Sequence, residues 1–254
     1  MILKALIFDV DGTLANTEEA HRCTFNEAFA QRGLPWHWSR LEYAQLLRTT
    51  GGKERIGAYL DSLDLAVQEA GMLRAQIGAI HATKTELYTR QVCAGAVPLR
   101  EGVEPLIEEA RQARISLSIA TTTSLANIDA LLTTNLGVDA LSIFSVIGAG
   151  DQVPRKKPAS DIYEWVLGQL ALPVSHCIAI EDSAQGLAAA KGAGLFTLVT
   201  PSYWTQAQDF AAADWVLPSL SAIEGTLGSQ EASTQDDQFP KLREMERRLL
   251  ERAR

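Results

Sequence analysis

The chain alternates between two hydrophobic rhythms. Leu6-Ile7-Phe8 is a short apolar run without helical spacing, the pattern of a strand buried on both faces of a parallel sheet. Helical spacing follows: Phe25, Ala28 and Phe29 lie within Glu18 to Arg32, and the pattern stops at Gly33 with Pro35 beyond. Sequence rich in Ala, Leu and Arg continues helical to about Val92, with breaks expected at Thr49-Thr50-Gly51-Gly52 and at Gly71. No strand pattern falls between Asn16 and Val97.

From Val97 helices and strands take turns. Val103, Leu106, Ile107 and Ala110 form a helical stripe ahead of a strand at Ile115–Ala120. A helix over Asn127–Leu136, closed by Gly137, leads to a strand at Ile143–Ile147. The stripe Tyr163, Val166, Leu167 and Leu170 precedes a strand at Cys177–Ile180, and a helix over Ala184–Lys191 precedes a strand at Phe196–Val199. Trp215-Val216-Leu217 is a short last strand. Such alternation predicts an α/β fold, a doubly wound parallel sheet with helices on both faces. The all-helical block is then an insertion, expected above the carboxyl ends of the strands, where such sheets bind ligands. The expected division is a core of residues 1–16 and 97–228, a helical cap of residues 17–96, and a tail of residues 229–254. Ser229 to Phe239 reads as a polar linker. Lys241 to Arg254 reads as one helix with an apolar face of Leu242, Met245, Leu249 and Leu250, expected to pack on the body, a partner-binding helix being the alternative.

Composition narrows the functional classes. The 254 residues carry a net charge of −8, which argues against non-specific binding to nucleic acid or a membrane surface. Cys23, Cys93 and Cys177 are far apart and lack metal-ligand spacing, so buried thiols in a reducing compartment are the default. No apolar run approaches membrane-spanning length, and the first strand begins at Leu3, which leaves no room for a targeting segment. The expectation is a cytoplasmic monomer, or a stromal one if a plastid transit peptide has been removed.

Candidate chemistry sits at the predicted strand ends. Asp9 and Asp11 are two apart, so in extended backbone their carboxylates point the same way, and Gly12 permits a sharp turn after them. Hard oxygen ligands in such a pair suit Mg²⁺, although Asp-x-Asp-Gly is also ordinary turn chemistry. Thr121-Thr122-Thr123-Ser124 precedes a helix and can form an anion pocket or simply an N-cap. Lys157 follows the third strand, and Glu181-Asp182 end the fourth. Taken singly, the lysine reads as surface and the acids as capping residues. Parallel strand ends converge on one rim, however, and together they place Asp9, Asp11, Glu181 and Asp182 near a cation and Thr121 and Lys157 near an anion. A divalent cation beside a phosphate site means phosphoryl transfer.

In order and context, Asp9-Val10-Asp11-Gly12-Thr13, Thr121, Lys157 and Glu181-Asp182 resemble the four motifs of the haloacid-dehalogenase-like hydrolase superfamily over about residues 1 to 228. The resemblance implies a helical cap between the first and second motifs. It implies Asp9 as nucleophile forming an aspartyl-phosphate, and Asp11 as general acid and base. Mg²⁺ would be held by Asp9, the Asp11 backbone carbonyl and Asp182, with Glu181 orienting a metal-bound water from behind. Thr121, Thr122 and Lys157 would hold phosphoryl oxygens, and Thr13 would steady the loop. The family's dehalogenases lack the second aspartate, so Asp11 argues for a phosphatase or phosphomutase.

Cap residues point toward the substrate. Glu18 and His21 are three apart and share a helix face. Gly51, Gly52, Lys53 and Arg55 form a loop able to fold down on a distal phosphate, and Lys84 is a further candidate cation or a solvated lysine. Gly51-Gly52-Lys53-Glu54-Arg55-Ile56, with Glu18 and His21, resembles the CbbY-type members of the superfamily. That resemblance implies removal of the 1-phosphate of xylulose 1,5-bisphosphate, a by-product of Rubisco, to give xylulose 5-phosphate. The alternatives are a β-phosphoglucomutase-like phosphomutase, a phosphoglycolate phosphatase and, in a different class, a non-catalytic binding module on the same fold.

Overall fold

The computed structural model describes residues 2–150, 152–223 and 239–252. Six parallel strands form one sheet: β1 (Ala5–Phe8), β2 (Ser116–Ala120), β3 (Val146–Gly148), β4 (Cys177–Glu181), β5 (Phe196–Val199) and β6 (Trp215–Val216). Their order across the sheet is β3-β2-β1-β4-β5-β6, so the winding reverses between β1 and β4. Register puts Phe8 beside Ile119 on one side and Ile180 on the other. The residues just past β1, β2 and β4 therefore emerge at one level, at the point where open α/β sheets take their ligands. All four residues of β1 are buried, which accounts for the unbroken apolar run.

Helices α5 (Val103–Gln112), α6 (Leu125–Leu136), α7 (Asp161–Leu170) and α8 (Ala184–Gly192) cover the sheet. The stripe Val103, Leu106, Ile107 and Ala110 is the buried face of α5. Helices α1 (Glu18–Gln31), α2 (Arg40–Leu46), α3 (Gly52–Asp61) and α4 (Val67–Cys93) lie between β1 and β2 in the chain. They enclose a separate aromatic cluster that includes Phe25, Phe29, Trp36, Trp38 and Tyr43. Helix α9 (Pro240–Arg252) buries Leu242, Met245 and Leu249 on the body, while Leu250 stays exposed. The Leu242 N–H donates to Glu109 of α5 at 2.9 Å. Of the linker expected over residues 229–239, residues 229–238 lie outside the described residues.

Three local expectations are corrected. Gly71 does not interrupt a helix: α4 runs through it, and the break falls earlier, at Ser62–Ala66. Its two glycines, Gly71 and Gly78, weaken a 27-residue helix without ending it. The third strand begins at Val146 rather than Ile143, because Ala140–Ile143 forms a 3₁₀ turn packed beneath the end of α6. Helix α6 starts at Leu125, since the hydroxyl of Ser124 caps it by accepting from the Asn127 N–H.

Candidate active site

Strand β1 delivers Asp9 to the rim, and the Asp9 N–H still pairs with the Ile180 carbonyl of β4 at 3.0 Å. The chain then turns tightly, with the Gly12 N–H on the Ala15 carbonyl at 2.8 Å and Gly12 at φ +86°. A Cβ at Gly12 would run into the Asp182 carboxylate, so glycine is required both for the backbone and for the close approach of β4's acid. Arg100, just past the cap helices, donates to the Gly12 carbonyl and to the Thr200 carbonyl, tying the turn to the loop after β5.

Lys157 lies at the centre of the acidic group. Its ammonium donates to Asp9 Oδ1 at 2.7 Å, Glu181 Oε1 at 2.6 Å and the Ala120 carbonyl at 2.9 Å. Glu181 also accepts from the Tyr163 hydroxyl at 2.6 Å and is fully buried. It occupies the space that a side chain at Gly186 would need. Asp182 accepts from the Thr205 hydroxyl at 3.1 Å. Carboxylate oxygens of Asp9, Glu181 and Asp182 lie within 4.8 Å of one another. Three buried carboxylates face one ammonium here. Burial, then the charges of Asp9 and Glu181, push Asp182 well above the usual carboxylate range. Burial likewise raises Asp9, Lys157 pulls it back, and the balance is about 7. Burial works against the charge of Lys157, but Asp9 and Glu181 override it and hold the ammonium above its ordinary value. A cluster of hard oxygen donors with uncompensated negative charge fits a divalent cation such as Mg²⁺.

The Asp11 side chain turns the other way, toward the helical block. Its Oδ1 accepts from the Thr17 hydroxyl at 2.6 Å and lies 3.0 Å from His21 Nε2. His21 Nδ1 lies 2.5 Å from Lys84 Nζ, and its ring stacks on Tyr88 at 4.1 Å. Burial, reinforced by the Lys84 charge, keeps the imidazole neutral. With a neutral ring, Lys84 donates to Nδ1 and Nε2–H donates to Asp11. Burial opposes ionisation of Asp11, but His21 and Thr17 outweigh it and hold the carboxyl well below its ordinary value. Burial also pushes the Lys84 ammonium down to about 7.

A cavity between the strand ends and the helical block is lined by Asp9, Asp11, Lys157 and Asp182 from below. Glu18, His21, Gly51, Lys53, Arg55 and Lys84 line it from above. At its side stand Thr122, Thr123 and Ser124, the approach to the N-terminus of α6. Thr121 and Glu181 stay behind this wall: the Thr121 hydroxyl accepts from the Thr123 N–H at 3.3 Å within its own turn. Lys156 Nζ reaches across to Glu54 Oε1 at 3.1 Å. Among the cap candidates, Gly51 has φ +95°, and a Cβ at Gly52 would meet the His81 ring.

Several partners escaped the sequence reading. Tyr163 read as an apolar position in a helical stripe and Tyr43 stood out in no pattern, yet their hydroxyls engage Glu181 and Glu18. Thr17, Arg100 and Thr205 carried no motif. Nothing in local spacing distinguishes them, because each acts on a partner brought close only by the fold.

A model of the haloacid dehalogenase-like hydrolase family matches residues 6–200. The chain is 50% identical over 222 residues to Protein CbbY of Rhodobacter capsulatus, covering 87% of this chain and 96% of that one. It superposes on a crystal structure of CbbY from Rhodobacter sphaeroides in complex with phosphate, with a TM-score of 0.82, 47% identity and coverage of 89% and 98% of the two chains. A mutant form of that protein, in complex with xylulose-(1,5)bisphosphate, matches with a TM-score of 0.82 and 46% identity, over 90% of this chain and 100% of that one.

Proposed function

The chain belongs to the haloacid dehalogenase-like hydrolase family, and from that membership we propose a Mg²⁺-dependent sugar-bisphosphate phosphatase that removes the 1-phosphate of xylulose 1,5-bisphosphate. The enzyme is a phosphoric monoester hydrolase. One observation carries the mechanistic part: Lys157 bridges Asp9 and Glu181 beside Asp182, at the carboxyl ends of β1 and β4. The substrate rests on likeness to a protein crystallised with xylulose-(1,5)bisphosphate and on the cavity's cap cations, Lys53, Arg55 and Lys84.

The geometry supports the following roles. Asp9 attacks phosphorus and displaces the sugar alkoxide, giving an aspartyl-phosphate. Lys157 holds Asp9 in place and offsets its repulsion from the anionic substrate. Thr122 and the N-terminus of α6 present donors to the phosphoryl oxygens, with Thr121 bracing their turn. Asp11 protonates the leaving alkoxide, then takes a proton from the water that cleaves the aspartyl-phosphate. His21 keeps Asp11 ionised in the free enzyme. A dianionic phosphoryl group arriving beside it raises its proton affinity. Asp9, Asp182 and the Asp11 carbonyl would hold Mg²⁺, which supplies Lewis-acid neutralisation of phosphoryl charge. Glu181, engaged by Lys157 and Tyr163, orders the ligands from behind. Above them, Glu18, His21, Gly51, Lys53, Arg55 and Lys84 contact the rest of the sugar.

The test is phosphate release from xylulose 1,5-bisphosphate with and without Mg²⁺, against an Asp9→Asn control. Mg²⁺-dependent release that the control lacks is expected. Equal activity in the control would sink the mechanism. Glucose 6-phosphate formed from β-glucose 1-phosphate and a bisphosphate primer, without free phosphate, would replace the phosphatase with a mutase.

A further inference from the structure

The loop between β5 and β6 touches both halves of the site at adjacent residues. Thr205 holds the Asp182 carboxylate at 3.1 Å. Trp204, one residue earlier, meets Tyr43 of α2 edge-on, with ring centroids 5.6 Å apart and planes at 83°. Tyr43 is 0% exposed. Its hydroxyl donates to Glu18 Oε2 at 2.7 Å and accepts from Arg55 Nη1 at 2.9 Å, and the guanidinium lies over its ring at 5.1 Å. Burial pushes the phenol well above its ordinary range, so the hydroxyl keeps its proton. Glu18 and Arg55 line the cavity, whereas Tyr43 and Trp204 stand behind them.

We propose that Tyr43 is a positioning residue for substrate recognition. It sets the carboxylate of Glu18 and the guanidinium of Arg55 for the hydroxyl and distal phosphate of a sugar bisphosphate. Trp204 is the seat on the core that fixes Tyr43 when the helical block lies over Asp9. One phenol thus serves an acid and a base in a fixed relative geometry. Its seat is tied through Thr205 to the acid cluster, so the recognition groups are aligned with the reacting centre. The proposal rests on the reading of Glu18 and Arg55 as substrate contacts.

A purely structural Tyr43 would serve only the aromatic cluster, where it also lies 6.5 Å from Phe25 and 6.0 Å from Trp38. Tyr43→Phe separates the two roles, since it keeps the ring and removes only the hydroxyl. Binding of xylulose 1,5-bisphosphate is measured by calorimetry in the Asp9→Asn protein, with and without Tyr43→Phe. Kd is expected to rise about 10-fold, the scale of one lost charge-assisted contact. In the active enzyme KM should rise by a similar factor with kcat little changed, and KM for p-nitrophenyl phosphate, which has no second phosphate, should rise less. Trp204→Leu should shift the bisphosphate Kd in the same direction. An unchanged Kd in Tyr43→Phe overturns the proposal. So does an equal KM rise for both substrates accompanied by a fall in Tm, and so does failure of Asp9→Asn to bind the bisphosphate. An enzyme that does not hydrolyse the bisphosphate, yet binds it more weakly after Tyr43→Phe, keeps this proposal and removes the phosphatase reading.

Discussion

Lys157 and Lys84 are both buried lysines, and their surroundings set them in opposite states. Lys157 sits between two carboxylates, which hold it charged. Lys157→Met would leave Asp9 and Glu181 buried without their counter-charge. Removing one partner of such a group costs about 3–5 kcal/mol, so Tm should fall by about 6–20 °C for a chain of this size. Mg²⁺ should restore part of the loss, because a cation can take over part of the neutralisation; calorimetry with and without the ion checks both. Lys84 instead faces the rings of Phe25 and Tyr88 and the neutral His21, and its proton is lost near pH 7 in the fold. In the unfolded chain it keeps its ordinary value of 10.5. Between those two pH values the unfolded chain holds a proton that the native state has shed, so this group adds stability as pH rises from about 7. Any Tm advantage of Lys84→Met over the wild type should therefore shrink between pH 6 and 9. A difference independent of pH would refute a lysine with a depressed proton affinity.

Helix α4 shows how an element absorbs a local misfit. Gly71 lies in its exposed first half, with open space where a Cβ would go. Gly71→Ala should stabilise the protein by about 0.5–1 kcal/mol, read as a Tm gain of about 1–4 °C. A loss of stability would mean that the glycine relieves a contact. The break expected at Gly71 failed because composition alone cannot say whether a neighbour carries a helix through a weak position; α4 does so by packing its second half on α1. The later start of β3 has a related cause. Its apolar run was legible, but Ile143 belongs to the 3₁₀ turn packed against α6, and Phe144 is buried ahead of the ladder rather than in it. Apolar character reports burial and is silent on which neighbour does the burying.

At the scale of the whole molecule, the site exists only where the strand ends and the helical block meet. Charge imbalance among Asp9, Glu181 and Asp182 means that a cation bound there would stabilise that meeting point. Millimolar Mg²⁺ should raise Tm by about 5–11 °C, as expected for a ligand in about 100-fold excess over its Kd. Asp182→Asn should abolish that shift while leaving the metal-free Tm equal or higher, since it removes one repelling carboxylate. An equal Mg²⁺ shift in Asp182→Asn would place the cation elsewhere. Among the described residues, no helix is long and apolar enough to cross a membrane.

The sequence by itself determined the strand–helix alternation, and with it the parallel sheet that gathers Asp9, Lys157, Glu181 and Asp182 at one rim. These are consequences of period and order, which short-range spacing records. Only the tertiary structure decided that Lys157 reaches across 148 positions of sequence to Asp9. It also decided that Asp11 faces His21 rather than the acid cluster, and that Tyr43 and Tyr163 spend their hydroxyls on carboxylates. Spacing fixes the face of an element on which a side chain emerges. The partner it finds there depends on which distant element the winding of the sheet and the placing of the helices bring against that face.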